Sequence, residues 1–420
     1  MSEDGSVSIP SRGWRLIQTR DFGLLWWGQT TSQIGEGLNK VALLWFVYEL
    51  TGSVMKMTMV GLLQTIPPLL FGPLIGVYLD RLPKKAVMIW VDLLRAVLTV
   101  LIPALYAMDM LSIEGLYGLI FLTSVVSTVF GPALVSAVPL LVRPSELMSA
   151  NALIQGTNNI GMLLGPAISG VMIALINAEN VLFVNSATFL LSALCLMPIR
   201  FSIPHVAARD ASSSVWDELK AGFRFVFGQQ PMVLTLVIIS SLYNLGVSAF
   251  VFILPVYAKE FLQVGPVQLG WLWSALGVGM LAASTWLAWK KQSDMQGRLR
   301  IVVSGMTIGG LAVCRLSLLE TPLVAAAIVI IVGGSTAVLN PIVWAVLQEV
   351  TPEHLIGRVL TTFSVGSMAS AMAGMTGFGW VADAIGPAAS LVGLGLVLLL
   401  TAAVAVSCVR RARPVLVAQA

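Results

Sequence analysis

The chain has 420 residues, of which 57% are hydrophobic and 10% charged, with a formal net charge of +4. Soluble domains carry about 25% charged residues, so a water-facing globule is excluded and most of the surface must meet lipid or other helices. Cys195, Cys314 and Cys408 have no paired spacing, and His205 and His354 fall in polar connectors, so neither a disulfide framework nor a metal site is expected.

Residues 1–21 are polar and lack an apolar core with a small-residue cleavage site. They read as a cytoplasmic tail, not a cleaved signal. The first apolar run, 22–48, carries a polar stripe. Gln29, Gln33, Glu36 and Lys40 fall at i, i+4, i+7 and i+11, on one helical face, with Thr31, Ile34, Leu38, Val41 and Trp45 elsewhere. A charge at the bilayer centre costs about 2.5–3.5 kcal/mol even on a lenient scale. Glu36 lies roughly 22 Å into the run at 1.5 Å per residue, too deep to reach the surface. That face must line a hydrated cavity or a protein interior. Glu36 and Lys40 also have the favoured i, i+4 order for an ion pair. Two readings therefore stay open: a coupling or substrate site, and a buried structural pair.

Further apolar runs fall at 57–79, 86–108, 115–141, 149–177, 180–199, 232–257, 267–289, 299–319, 322–348, 358–382 and 386–408, giving about twelve spans. Helices satisfy their own backbone in lipid, so the expected fold class is an all-α integral membrane protein. Basic residues cluster in alternate connectors and at both ends: Arg12, Arg15 and Arg20; Arg81, Lys84 and Lys85; Arg143; Arg200, Arg209, Lys220 and Arg224; Lys290, Lys291, Arg298 and Arg300; Arg358; Arg410, Arg411 and Arg413. The opposite connectors hold Asp109, Glu114, Glu179, Glu260 and Glu320, with Lys56 and Lys259 as exceptions. The positive-inside rule then puts both termini in the cytoplasm, which requires an even number of spans.

The longest connector, 201–231, contains Trp216, Leu219, Phe223 and Phe227 interleaved with Asp217, Glu218, Lys220 and Arg224. This pattern predicts an amphipathic helix on the membrane surface; a partner-binding helix is the other reading. Arg143-Pro144-Ser145-Glu146-Leu147 resembles Thr351-Pro352-Glu353-His354-Leu355, about 208 residues on, with Pro132 and Pro341 preceding them. Two parallel six-helix bundles, 22–200 and 232–408, with a cytoplasmic tail at 409–420, are the simple explanation.

Gly76, Asp80, Arg81, Lys84 and Lys85 lie in the connector after the second span. Their spacing resembles the G-x-x-x-D-R-x-G-R-K loop of the major facilitator superfamily, with Pro83 where the family favours Gly and Lys84 where it favours Arg. The resemblance implies that Asp80, Arg81 and Lys84 help to lock one cytoplasmic-side conformation. In the fifth span, Gly161, Gly165, Pro166 and Gly170 resemble the G-x-x-x-G-P-x-x-G-G motif of that superfamily's drug and metabolite antiporters, Ser169 replacing a glycine. Ordinary small-residue packing with a proline bend is the plainer reading. Gly277, Gly279, Ala282 and Ala283 make a similar face in span eight. Spans five and eight meet between the halves of the resembling fold, which implies a sliding interface.

Ser32, Gly35, Glu36, Ala42, the run Thr51-Gly52-Ser53, Asp92, Arg95, Ala150-Asn151 and Gly357-Arg358-Val359 look like the macrolide-efflux and enterobactin-exporter branch. That branch often has Asp where Glu36 stands. Span one lines the central cavity in the resembling fold, which implies a proton-coupling or substrate role for Glu36. Asp92 and Arg95, at i, i+3, are expected to form a buried charge pair bridging to the Asp80 loop. Arg315, near a span end, reads as a snorkelling residue. In the second half Asn244, Asn340, Trp344 and Gln348 are the candidate polar cavity contacts; hydrogen bonding between helices explains them equally well. Trp26, Trp27, Trp271, Trp273, Trp286 and Trp289 read mainly as interface belts.

The chain has no G-x-x-x-x-G-K-[ST] loop, no His/Cys/acid cluster and no nucleophile with a base at one depth. No enzyme activity, metal or cofactor is expected. The reading is a multi-pass secondary transporter of the bacterial plasma membrane, exporting an amphiphilic organic compound such as a drug, macrolide or siderophore-like molecule by alternating access and proton antiport. Its expected partners are that small substrate, protons and membrane lipids, with no nucleic acid, and the chain is expected to be a monomer. Rival readings are a lipid or lysolipid flippase or importer on the same fold, and a non-transporting membrane sensor or assembly partner.

Overall fold

The computed structural model describes residues 13–79, 82–143, 146–200, 224, 231–289, 295–351 and 356–417. Their regular structure is helical. The first part of the chain forms α1 (Gly13–Gln18), α2 (Arg20–Thr51), α3 (Val54–Leu79), α4 (Lys84–Ala107), α5 (Ile113–Ala137), α6 (Leu147–Ile176) and α7 (Ala178–Leu196). The second part forms α8 (Pro231–Val256), a π-turn (Tyr257–Phe261), α9 (Pro266–Trp289), α10 (Met295–Leu316), α11 (Pro322–Ala337), α12 (Leu339–Val350), α13 (Ile356–Ile385) and α14 (Pro387–Val417).

Each apolar run read from the sequence coincides with a helix, the tenth with the pair α11 and α12. That break has a local cause. Pro341 lacks the N–H that would bond the carbonyl of residue 337, where α11 stops. Among the described residues ten stretches are long and apolar enough to cross a membrane. Neither α2 nor α13 is among them; α2 carries Arg20, Asp21, Glu36, Lys40 and Glu49. The amphipathic helix expected over 216–227 lies outside the described residues except Arg224, which is helical and exposed. Asp80, Arg81, Pro144, Ser145 and residues 352–355 also lie outside them.

Three helix pairs turn on one left-handed residue: Gly52 (φ 63°) between α2 and α3, Asn177 (φ 67°) between α6 and α7, and Gly386 (φ 108°) between α13 and α14. Glycine adopts this conformation freely, and asparagine tolerates it better than most residues.

The chain forms two compact units, and their division departs from chain order. One holds the described chain up to Leu43 and from Ile66 through α7; the other holds Leu44–Thr65 and everything from α8 onward. In the first unit α4 packs on α5 and α7, and Phe22, Leu25, Met88, Val91, Phe130, Leu134 and Leu196 share one core cluster. In the second, α8 packs on α13 and α14, α9 on α11, and α10 on α14. Lipid is as apolar as leucine, so close packing and interhelical hydrogen bonds hold such helices together. The Ser169 hydroxyl of α6 donates to the Leu38 carbonyl at 2.9 Å, and the Ser186 hydroxyl of α7 to the Ala96 carbonyl at 2.7 Å.

Candidate functional site

The polar stripe of α2 meets charge on a neighbouring helix. Arg95 of α4 donates from Nη2 to Glu36 Oε1, while its Nη1 lies 3.6 Å from Asp92 Oδ1. Sequence spacing suggested Lys40 for Glu36 and Asp92 for Arg95. The structure places Arg95 against both carboxyls, because α2 and α4 lie side by side at this level. The Arg95 guanidinium sits 4.2 Å from the Phe189 ring centroid of α7 and 5.5 Å from that of Phe130 in α5. Aromatic faces attract a desolvated cation by about 2 kcal/mol or more.

Accessibility separates the two acids. The Glu36 side chain is 39% exposed, whereas those of Arg95 and Asp92 are 6% and 0% exposed. Ser192 of α7 lies beside Asp92, yet neither Asp92 oxygen has a hydrogen bond of good geometry, and Arg95 Nε is also unpartnered. One cation thus faces two carboxyls, one partly exposed and one sealed. Along the stripe, Gln33 is partly buried and Lys40 accessible, while Gln29 is buried with Oε1 unpartnered.

The small residues of α6 seat α2. A β-carbon on Gly165 would lie 2.5 Å from the Gly37 α-carbon, and one on Gly161 would lie 2.6 Å from the Gln33 carbonyl carbon. Gly170 is buried, and Pro166 lies inside the helix. The motif glycines therefore press on the stripe helix, a partner the sequence did not suggest. On α9, a β-carbon on Gly279 would come within 2.8 Å of the Gly334 nitrogen of α11. The nearest atoms to Gly161, Gly165 and Gly279 thus lie inside their own units. Gly37 bares the α2 backbone, which explains the α6 contact, while Gly35 lies against Asn185 and Thr188 of α7.

In the signature loop, Gly76 lies in α3 and Asp80 and Arg81 are outside the described residues. Lys84 Nζ donates to the Leu79 carbonyl at the end of α3. Lys85 Nζ donates to the carbonyls of Met197 and Ile199, at 2.6 and 2.9 Å, beyond the end of α7. Both cations sit at helix C-termini, where the helix dipole favours them.

The second unit's candidates are less convergent. Asn244 donates to Ser240 of its own helix at 2.9 Å, Asn340 and Gln348 are exposed, and Trp344 meets Phe363 edge-on at 5.9 Å. Trp27, Trp271 and Trp286 are exposed, as a belt requires, and Arg315 is exposed at the end of α10. Trp26 and Trp273 are buried instead, and Trp26 Nε1 donates to the Leu153 carbonyl at 3.1 Å. Trp289 lies in α9.

One cluster in the second unit escaped the sequence reading. Asp383 at the end of α13 accepts from the backbone N–H of Val54 and Met55, at 2.8 and 2.9 Å, and from the Ser53 hydroxyl at 3.1 Å. It thereby caps α3. Nearby in sequence, the Tyr48 hydroxyl donates to Glu260. Lys259 lies 3.9 Å from Glu49 and 5.2 Å from the ring centroids of Trp45 and Tyr48. Lys259 had stood out only as a base on the acidic side of the chain. An acid at a helix end, as Asp383 is, carried no signal at all.

The sequence profile described as transmembrane secretion effector matches residues 11–415. The chain belongs to this family of the major facilitator superfamily, and so is a multi-pass membrane transporter and not an enzyme. It is 27% identical to the multidrug efflux pump Tap of Mycolicibacterium fortuitum, over 91% of this chain and 94% of the relative. It is 25% identical to macrolide efflux protein A of Streptococcus pyogenes, over 83% and 86%. These are members of the branch its motifs resemble. Among solved structures it is similar to a bacterial homologue of the human lysosomal transporter Spinster in an inward-facing, unoccupied conformation, with a TM-score of 0.72, 12% identity and coverage of 96% and 98%. It is also similar to a bacterial homologue of the iron transporter ferroportin, with a TM-score of 0.72, 14% identity and coverage of 93% and 98%.

Proposed function

We propose that this protein exports an amphiphilic organic compound, of the drug or macrolide kind, in exchange for protons. The observation that carries the reading is Glu36 itself: a partly exposed acid in the polar stripe of α2, paired with a buried arginine. Such an acid can bind a cationic substrate or a proton, but not both fully, which is the requirement for antiport. Gln29, Gln33 and Lys40 share the stripe with Glu36 and are the further substrate contacts proposed on α2; Asn244, Asn340 and Trp344 are those proposed in the second unit. The whole-length similarity to Tap and to macrolide efflux protein A supports the direction of transport.

In this reading twelve spans cross the membrane, both termini are cytoplasmic, and two six-helix halves, 22–200 and 232–408, alternate access around a midplane site. The protein works as a monomer in the lipid. The Gly76, Asp80, Arg81, Lys84 and Lys85 loop stabilises one of the two states, with Lys84 and Lys85 tying helix ends together. One proton moving down 100 mV supplies about 2.3 kcal/mol, enough for a roughly fifty-fold gradient.

Inside-out vesicles test this. With an acidic interior, a radiolabelled macrolide is expected to accumulate, and a protonophore to abolish the uptake. Glu36→Gln is expected to lower the proton-driven rate at least tenfold at equal protein level. Proton-coupled uptake at the wild-type rate in that variant would end the reading.

A further inference from the structure

One end of the second unit holds a cation against two aromatic rings, an arrangement the export reading does not use. Trp45, Tyr48 and Glu49 fall at i, i+3 and i+4 of α2, so they share one helical face. They lie in Leu44–Thr65, the segment that belongs to this unit. Opposite them is the π-turn after α8, which carries Lys259 and Glu260; such turns occur frequently at functional sites. Lys259 Nζ lies over both rings, 5.2 Å from each centroid, and 3.9 Å from Glu49 Oε1. The Tyr48 hydroxyl donates to Glu260, which holds the second ring in place. Both rings are buried.

The lysine fits this setting poorly. Its ammonium has three N–H donors. The carboxylate contact it makes, at 3.9 Å, is longer than the 2.7–2.9 Å of a charge-assisted hydrogen bond. The Lys259 and Glu49 side chains are 38% and 47% exposed, so water weakens their pairing. Two ring faces beside a carboxylate suit another cation better: one whose charge is wrapped in alkyl groups, with no N–H to satisfy and little hydration to lose. Aromatic cages recognise quaternary ammonium groups in this way. Lys259 is on a flexible four-carbon stem and partly exposed, so it can leave the rings without any movement of the backbone.

We propose that Trp45, Tyr48 and Glu49 form a binding site for a hydrophobic organic cation of the quaternary ammonium kind, and that Lys259 fills it as a tethered competitor. The arriving cation takes the ring faces and Glu49, and Lys259 turns out into solvent. In the orientation proposed above, this end of the unit faces away from the cytoplasm, where an exported compound leaves. The inference rests on the export reading for the claim that the ligand is cargo, and on geometry for the site.

Benzyltrimethylammonium is the probe, titrated calorimetrically into purified full-length protein. All variants carry Glu36→Gln, so that binding at the acid of the stripe is not counted. A lysine that fills the site nine-tenths of the time lowers the apparent affinity about tenfold. Lys259→Met is therefore expected to bind the probe about tenfold more tightly than its parent, and Trp45→Leu added to it to remove the gain. An affinity unchanged by Lys259→Met, or a gain that survives Trp45→Leu, overturns the proposal. A second measurement leaves the rings intact, should Trp45→Leu fail to fold. Saturating probe is expected to raise several-fold the rate at which an amine-reactive reagent labels Lys259, read by peptide mass spectrometry. Labelling that is unchanged or slower overturns the proposal. If the probe binds as stated but wild-type inside-out vesicles with an acidic interior do not take it up, its export fails while the site stands.

Discussion

Arg95 shows how a single buried side chain can bind four helices together. Its guanidinium touches a carboxyl from α2, a carboxyl from its own helix, and aromatic rings from α5 and α7. Removing it takes the shared guanidinium from Asp92 and Glu36, and breaking a buried pair costs about 3–5 kcal/mol. Arg95→Met is therefore expected to lower the thermal midpoint of the detergent-solubilised protein sharply. Adding Glu36→Gln and Asp92→Asn to that variant should restore most of the loss, since the carboxyls it paired are gone. Arg95→Lys should recover only part, because an ammonium is a point charge without the flat fork that reaches two acids at once. A triple variant no more stable than Arg95→Met would show that packing against the rings, not charge, is what the arginine contributes.

The seams between helices depend on what is missing from their faces. Gly37 on α2 and Gly165 on α6 let two backbones touch, and a β-carbon on Gly165 would fall 2.5 Å from the Gly37 α-carbon. No rotamer relieves a backbone contact. Gly165→Val is expected to destabilise by about 1–3 kcal/mol or more and to shift α2, which carries the stripe. The readout is loss of both thermal stability and export, whereas Gly118→Ala, at a glycine with open space beside it, should change neither. The start of α3 tests a different device. Asp383 satisfies two of the N–H groups that a helix N-terminus leaves unpaired. Replacing a capping acid by Ala costs about 0.5–2 kcal/mol, so Asp383→Ala should lower the midpoint modestly. Asp383→Asn should retain part of the cap through its side-chain carbonyl.

At the scale of the molecule, the α2–α3 hairpin crosses the division of the chain. Leu44–Thr65 packs with the second unit although the chain on either side belongs to the first. If the protein alternates access as proposed, the contacts of this hairpin with Asp383, Lys259 and Glu260 must open during each cycle. A cross-link tests that requirement. The Ser53 hydroxyl and the Asp383 carboxyl are 3.1 Å apart, so cysteines at both positions lie within reach of a short thiol-specific linker. Export by Ser53→Cys/Asp383→Cys is expected to fall at least tenfold on linking and to return on reduction. Export that continues in the linked protein would show that this contact persists throughout the cycle.

The class of the protein was legible in the chain. Apolar length and the placement of lysine and arginine are one-dimensional properties, and each expected span fell on a helix. The stripe on α2 was equally legible, because helical period alone sets which residues share a face. That Arg95 meets Glu36 was not. Spacing within a helix ranks i+3 and i+4 neighbours, which favoured Lys40, whereas the arginine that binds it comes from a different helix, 59 residues away. The same holds for the α6 glycines, which press on α2, and for Asp383, which caps a helix 329 residues before it. Sequence periodicity determines which face of each helix is polar or small. Which helix that face meets depends on how the helices rotate and dock in lipid, and only the tertiary structure decided that.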